Sequence, residues 1–188
     1  MLFEVKDLAE FVWISAFDTK PDGVERVLQL IQKKYPDVSI QLVDLENVAG
    51  SRYLFLATYN ALKSFRSKQP IARSLSMEIL LYVAGNRQIG EALKNVGVTP
   101  ETRMVAAIAV SKSRVQVLES AAGLRVILKK EESDDLVDKW DQDRIKRVRK
   151  IFGIGDKEIR ASRHENENAV KAIEHLAIER SAMLAIRK

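Results

Sequence analysis

The sequence predicts an α+β fold in a single domain spanning residues 1–188, with a small mixed β-sheet surrounded by several helices. Three observations lead there. Short runs rich in Val, Ile, Phe and Trp are interrupted by longer segments with apolar residues at helical spacing, without the strict alternation of a parallel α/β sheet. The chain has 188 residues, 46% hydrophobic and 30% charged, enough for an ordinary soluble core. It has no cysteine, which excludes disulfides, thiolate metal sites and a cysteine nucleophile, and which agrees with a cytoplasmic location.

Taken in order, Glu10–Asp18 is a dense apolar run and reads as a strand covered on both faces. Pro21 opens a helix to Tyr35 with Val24, Val27, Leu28 and Ile31 as its stripe. Val38–Leu45 alternates and reads as a strand. Ser51 is the expected N-cap of a helix that ends at Gln69 and Pro70. Ser74 or Ser76 caps the next helix, through Ala84, and Gly85 suits its C-terminus. Asn86 is the expected N-cap of another, with Ile89, Ala92, Leu93 and Val96 as its buried stripe and Gly97 closing it. Thr99–Thr102 is a turn and Met104–Val110 a buried strand. A short helix is expected to end at Gly123, followed by a strand at Leu124–Leu128. Residues 129–143 read as a charged, solvated connector, overlapping a helix at Leu136–Phe152 that Gly153–Gly155 break. A final helix runs from Asn168 to Ile186.

Catalytic signatures fail one by one. "GNRQIGEA" has phosphate-loop glycine spacing, but Glu91 and Ala92 stand where Lys and Ser or Thr are needed, and a helix precedes it instead of a strand. His164 and His175 match no zinc spacing. "SDDLVDKWDQD" lacks the glycine and terminal glutamate of a calcium loop. No serine sits in a G-x-S-x-G elbow. The chain therefore reads as a binding or regulatory protein with no catalytic residue, no metal and no cofactor. The N-terminus lacks signal-peptide character, and no segment approaches the ~18 apolar residues of a membrane span, so no membrane partner is expected.

A net charge of +5 leans toward a polyanion. On the helix beginning at Ser51, residues Arg52, Tyr59, Lys63 and Arg66 fall within roughly 60° of one another, a basic stripe with one aromatic. Arg73 and the polar joint Asn86-Arg87-Gln88 follow in sequence. Cations for phosphates and a planar side chain for bases suit single-stranded nucleic acid. A solvated helix face with an interhelix cap accounts for the same residues. The basic helix Arg144–Lys150 reads more simply as a solvated face, and Arg180, inside the apolar stripe of the last helix, is either paired in the interior or at the rim of a protein contact.

The stretch "IARSLSMEILLYVAGNRQIGEAL" (Ile71–Leu93) resembles the signature of the kinase-binding small regulatory subunit of the KEOPS complex. The matching residues are Glu78, Ile79–Tyr82, Ala84–Gly85, Arg87–Gln88–Ile89 and Ala92. "TYNALKSF", "FGI" and "HLAIERSAMLAI" are similar to flanking parts of that family. The resemblance implies a non-catalytic subunit that binds and stimulates the kinase-like subunit, meets the other subunits indirectly, and captures the 3′ CCA end of tRNA for N6-threonylcarbamoyladenosine modification. It implies tRNA contact at Arg87, Gln88 and Ile89, to which the helical stripe adds Tyr59, Lys63, Arg66 and Arg52, and the neighbouring sequence adds Asn86 of the joint and Arg73. Kinase contact is expected at Arg180, Met183 and Leu184. The alternative is a kinase regulator or scaffold that binds no RNA.

Overall fold

The computed structural model describes residues 1–21, 23–67, 69–163 and 167–186. Four strands form the sheet: β1 (Leu2–Val5), β2 (Glu10–Phe17), β3 (Ser39–Asp44) and β4 (Val105–Ser111), in the order β1-β2-β4-β3. The class is α+β. Every neighbouring pair is antiparallel, so the sheet is not mixed as the sequence suggested. Strands β2 and β3 do run parallel, joined by helix α1 (Val24–Lys34), but β4 inserts between them and is antiparallel to both. Its central residue Ile108 pairs with Ile14 on one side and Gln41 on the other.

Alternation along the strands gives the sheet two apolar faces. Trp13, Phe17, Ile40, Leu42, Ala107 and Ala109 pack under α1 and α5 (Arg114–Leu128). Helix α5 runs unbroken through Gly123 to Leu128, where the sequence suggested a helix end and a further strand. Gly123 marks a close crossing instead: a Cβ there would lie 3.0 Å from the Tyr35 ring and 3.2 Å from Ile31. Val12, Ile14, Val43, Ile108 and Val110 face the other layer, built from α2 (Ser51–Arg66), α3 (Leu75–Ala84), α4 (Ile89–Val96), α7 (Gln142–Phe152), α8 (Asp156–Ser162) and α9 (Ala169–Ala182). β1 and α8 are elements the sequence did not announce.

Residues 129–143 are largely exposed, as the charged connector of the sequence reading requires, and only Val137 among them is buried. They also contain the single turn α6 (Asp134–Val137), and several of their polar groups bond to the rest of the fold. Ser133 donates its N–H to Ala16 O of β2 at 2.8 Å, and Ser15 Oγ donates to Asp134 at 2.6 Å. Asp138 reaches the start of α2, accepting from Ser51 N at 2.8 Å and Ser51 Oγ at 2.7 Å. Ser51 is thus the first residue of that helix rather than its N-cap, which is Gly50. Asp141 caps α7 through Arg144 N at 2.7 Å.

Arg144 itself is only 4% exposed, against the expectation of a solvated basic face. A one-turn helix cannot satisfy its own last carbonyls. The Arg144 guanidinium does so, donating to Leu136 O at 3.4 Å, Val137 O at 2.8 Å and Lys139 O at 2.7 Å. Nε and Nη2 also donate to Val48 O, at 3.1 and 3.0 Å, and the group lies 4.8 Å from the Trp140 ring centroid. Burial lowers its pKa to about 10, which still leaves it charged at neutral pH. Arg144→Met should therefore cost about 3–5 kcal/mol by stranding buried carbonyls. Urea unfolding should show a lower midpoint with the slope unchanged.

Candidate functional site

Helix α3 is the enclosed element on which the joint is mounted. Residues Glu78 to Ala84 are all buried, so it is apolar on every side rather than amphipathic. Glu78 is fully buried, and every group facing its carboxylate is a donor. Ala72 N lies at 2.7 Å, Ile71 N at 2.9 Å and Ser64 Oγ at 2.8 Å. Glu78 thus ties the loop between α2 and α3 to both helices. At the far end Gly85 adopts φ +60, and its N–H and that of Asn86 return to Tyr82 O and Leu81 O, each at 3.1 Å. This is the Schellman closure that favours glycine. Two hydroxyls finish the helix end: Tyr53 Oη donates to Val83 O at 2.6 Å and Ser181 Oγ to Tyr82 O at 2.8 Å. Burial raises the Tyr53 pKa, so the phenol remains a donor.

The joint follows at once. Asn86 is not the N-cap of α4; Gln88 holds that position, and Asn86 Oδ1 accepts from Gln88 N at 2.9 Å, folding the connection into an Asx turn. Arg87 is exposed and donates to Leu184 O at 3.2 Å. The predicted stripe of α4 splits. Ala92 and Val96 are buried, but Ile89 is 45% and Leu93 47% exposed. The four residues span about 100° of helix, wider than the neighbouring helix covers. The joint therefore presents an apolar pair, Ile89 and Leu93, beside the Arg87 guanidinium and the exposed Gln88. Leu93 was not singled out from sequence; its place one turn after Ile89 was the available signal.

The other predicted residues lie along α2. Arg52 Nη1 is 2.9 Å from His175 Nε2. Tyr59 donates to Asp7 at 2.8 Å, and that hydrogen bond raises its pKa; the Lys63 ammonium lies 5.5 Å from its ring centroid. Arg66 pairs with Glu10 at 3.1 Å and donates to Leu8 O. Arg73 is exposed in the loop before α3. Tyr53, near the start of α2, touches the end of α3, so Lys63 and Arg66 stand about 15–20 Å from the joint along the helix. The structure thus gathers Arg87, Gln88, Ile89 and Leu93 at one end of α2 and places Tyr59, Lys63, Arg66 and Arg73 toward the other.

A model of the family described as kinase binding protein CGI-121 matches residues 23–185, including the whole joint. The chain belongs to this family. A comparison with curated proteins returns no match. In this CGI-121 chain the residues expected at a kinase contact differ in exposure. Leu184 is buried, and Met183 is 42% exposed. Arg180 pairs with Glu158 of α8 and donates to Phe152 O at 3.2 Å, which resolves its place in the apolar stripe as a tie between helices. His164 lies outside the described residues. Among the described residues no group of three His, Asp or Glu side chains is placed to hold a metal ion, and no helix is long and apolar enough to cross a membrane.

Two outcomes follow. Glu78→Gln sets an amide NH2 among donors and should cost about 2 kcal/mol or more, with faster hydrogen exchange at Ile71 and Ala72 amides. The Glu158 carboxyl is held below its ordinary value of 4.5 by the Gly155 N–H and then by Arg180. Its contribution is therefore present above that value and lost as pH falls through the folded one. Wild type should melt above Glu158→Gln at pH 7, and the gap should close in acid.

Proposed function

We propose that this chain, one domain over residues 1–188, is the non-catalytic subunit of the KEOPS complex that binds and stimulates the kinase-like subunit and holds the 3′ CCA end of tRNA. The observation that carries the RNA part is the joint: a helix buried from Glu78 to Ala84 ends in a turn beyond which Ile89 and Leu93 are exposed beside Arg87 and Gln88. Unpaired terminal bases need an apolar platform, and their phosphates need a cation. Arg87 neutralises a phosphate, Gln88 and Asn86 meet base or sugar edges, and Ile89 with Leu93 supports the bases. Tyr59, Lys63, Arg66, Arg73 and Arg52 extend the surface for the nucleotides that follow. Membership in a family of kinase-binding proteins supports the regulatory part.

Kinase contact belongs to the end of α9, where Met183 is exposed and Arg180 and Leu184 hold the backbone in place. The reading places the protein in the cytoplasm with its RNA, without cofactor. The second reading, a regulator acting by protein contact alone, rests on Arg66 and Tyr59 being engaged by Glu10 and Asp7.

Binding of the purified protein to intact tRNA and to tRNA lacking CCA decides between them. The first reading expects CCA-dependent affinity, weakened about tenfold or more by Arg87→Glu or Ile89→Glu with the far-ultraviolet spectrum unchanged. Affinity indifferent to the CCA end and to both substitutions would select the protein-only regulator.

A further inference from the structure

The positive charge of this protein is concentrated away from α2. From Gln142 to Arg163 the chain carries eight Lys or Arg against three Asp or Glu, a net +5 equal to that of the whole chain. The turn between α7 and α8 carries a shallow surface cavity of about 420 Å³, open to solvent and lined by Lys146, Arg149, Lys150, Gly153, Ile154 and Gly155. Three of those residues are cations and none is a carboxylate. Lys146, Arg149 and Lys150 share one helix face at the i, i+3 and i+4 positions, about one turn from end to end. The two lysines keep their charge. Lys146 meets Asp143 at 3.3 Å with both side chains more than 70% exposed, a pair worth little in water. Arg149 lines the same turn but is paired with Asp156 at 2.6 Å and donates to Ile154 O at 3.3 Å, which fixes its position.

The turn's backbone donors are already used: Gly153 N by Lys150 O, Ile154 N by Arg149 O, Gly155 N by Glu158. An anion here would be held by side-chain charge, not by a peptide nest, which suits a sugar-phosphate chain held without base recognition. The cavity also adjoins the joint. Phe152, the last residue of α7, lies 3.3 Å from where a Cβ on Gly85 would stand, and Arg180 ties Phe152 O to α9.

We propose that Lys146, Arg149 and Lys150, around the cavity at the α7–α8 turn, form a second nucleic-acid contact that grips the sugar-phosphate backbone of the same RNA whose 3′ end lies on the α3–α4 joint. This inference rests on the RNA reading above. The joint takes the unpaired end, and the cavity takes phosphates of the duplex behind it. A short single-stranded RNA fills the first alone; a whole tRNA fills both.

The test compares wild type with the double variant Lys146→Gln/Lys150→Gln, binding intact tRNA and a short single-stranded RNA ending in CCA, across a salt series. Arg149 is left in place because it helps to close the helix end. The expected result is a loss of about tenfold in tRNA affinity and a fall of about 2 in the logarithmic salt slope, with short-RNA affinity unchanged. Unchanged tRNA affinity and slope would overturn the proposal and return α7 to a solvated face. So would a variant that keeps its tRNA affinity but loses binding to vesicles containing anionic lipid. If wild type fails to bind the short RNA, the joint reading fails instead, and a tRNA slope that still falls in the variant supports the cavity contact on its own. Equal melting temperatures of the two proteins guard against misfolding.

Discussion

One buried guanidinium organises the helical layer. Arg144 draws the carbonyls of the one-turn α6 and of the loop after it onto the same group that holds Val48 O, just before α2. Without it, the carbonyls that end this short acidic segment would lose their shared donor. With it, Asp138 arrives at the N-terminus of α2 and Asp141 at that of α7. A carboxylate beside a helix N-terminus is favoured by both the free N–H groups and the dipole. Burying a charge without a paired carboxylate is costly, and the number of well-aligned carbonyl acceptors is what offsets it.

From that anchor the order passes to α3. Tyr53 on α2 and Ser181 on α9 bond carbonyls at the end of α3, and Phe152 of α7 packs edge-on against Tyr53 at 5.4 Å. Glu78 holds the opposite end. Because α3 is clamped at both ends and buried from Glu78 to Ala84, the joint after it has a fixed backbone. That is the condition a recognition surface needs: little conformational entropy of the protein remains to be lost when a ligand settles on it. Arg87, bonded to Leu184 O, also links this surface to the end of α9. The nucleic-acid and kinase contacts proposed for this CGI-121 family member therefore lie side by side.

Much of the architecture was legible in sequence because local physics decides it. The apolar runs at Glu10–Asp18 and Met104–Val110, the alternation of Val38–Leu45, the stripe of α1, the serine before α3 and the glycine after it each depend on residues within one or two turns. The signature Ile71–Leu93 likewise pointed to the family, and with it to Arg87, Gln88 and Ile89 as residues of interest. What failed were readings that needed a distant partner. Gly123 looks like a helix end until Ile31 and Tyr35 of α1 are seen to press against it. Residues 129–143 are mostly exposed, as read, but nothing local shows that carboxylates among them reach Ser15, Ser51 and Arg144 N.

The sequence by itself determined the α+β class, the helix that runs to Ala84 and the polar break at Gly85–Gln88 that follows it, because periodicity and glycine closure act over a few residues. The tertiary structure alone decided that the sheet is antiparallel throughout, since β4 enters between β2 and β3 only by long-range pairing. It alone decided that Arg144 is interior while Lys146 and Lys150 on the same helix are exposed, and that Ile89 and Leu93 leave the core while Ala92 and Val96 enter it. In each case the deciding quantity is which neighbouring element covers a given arc of a helix, a property that no single segment carries.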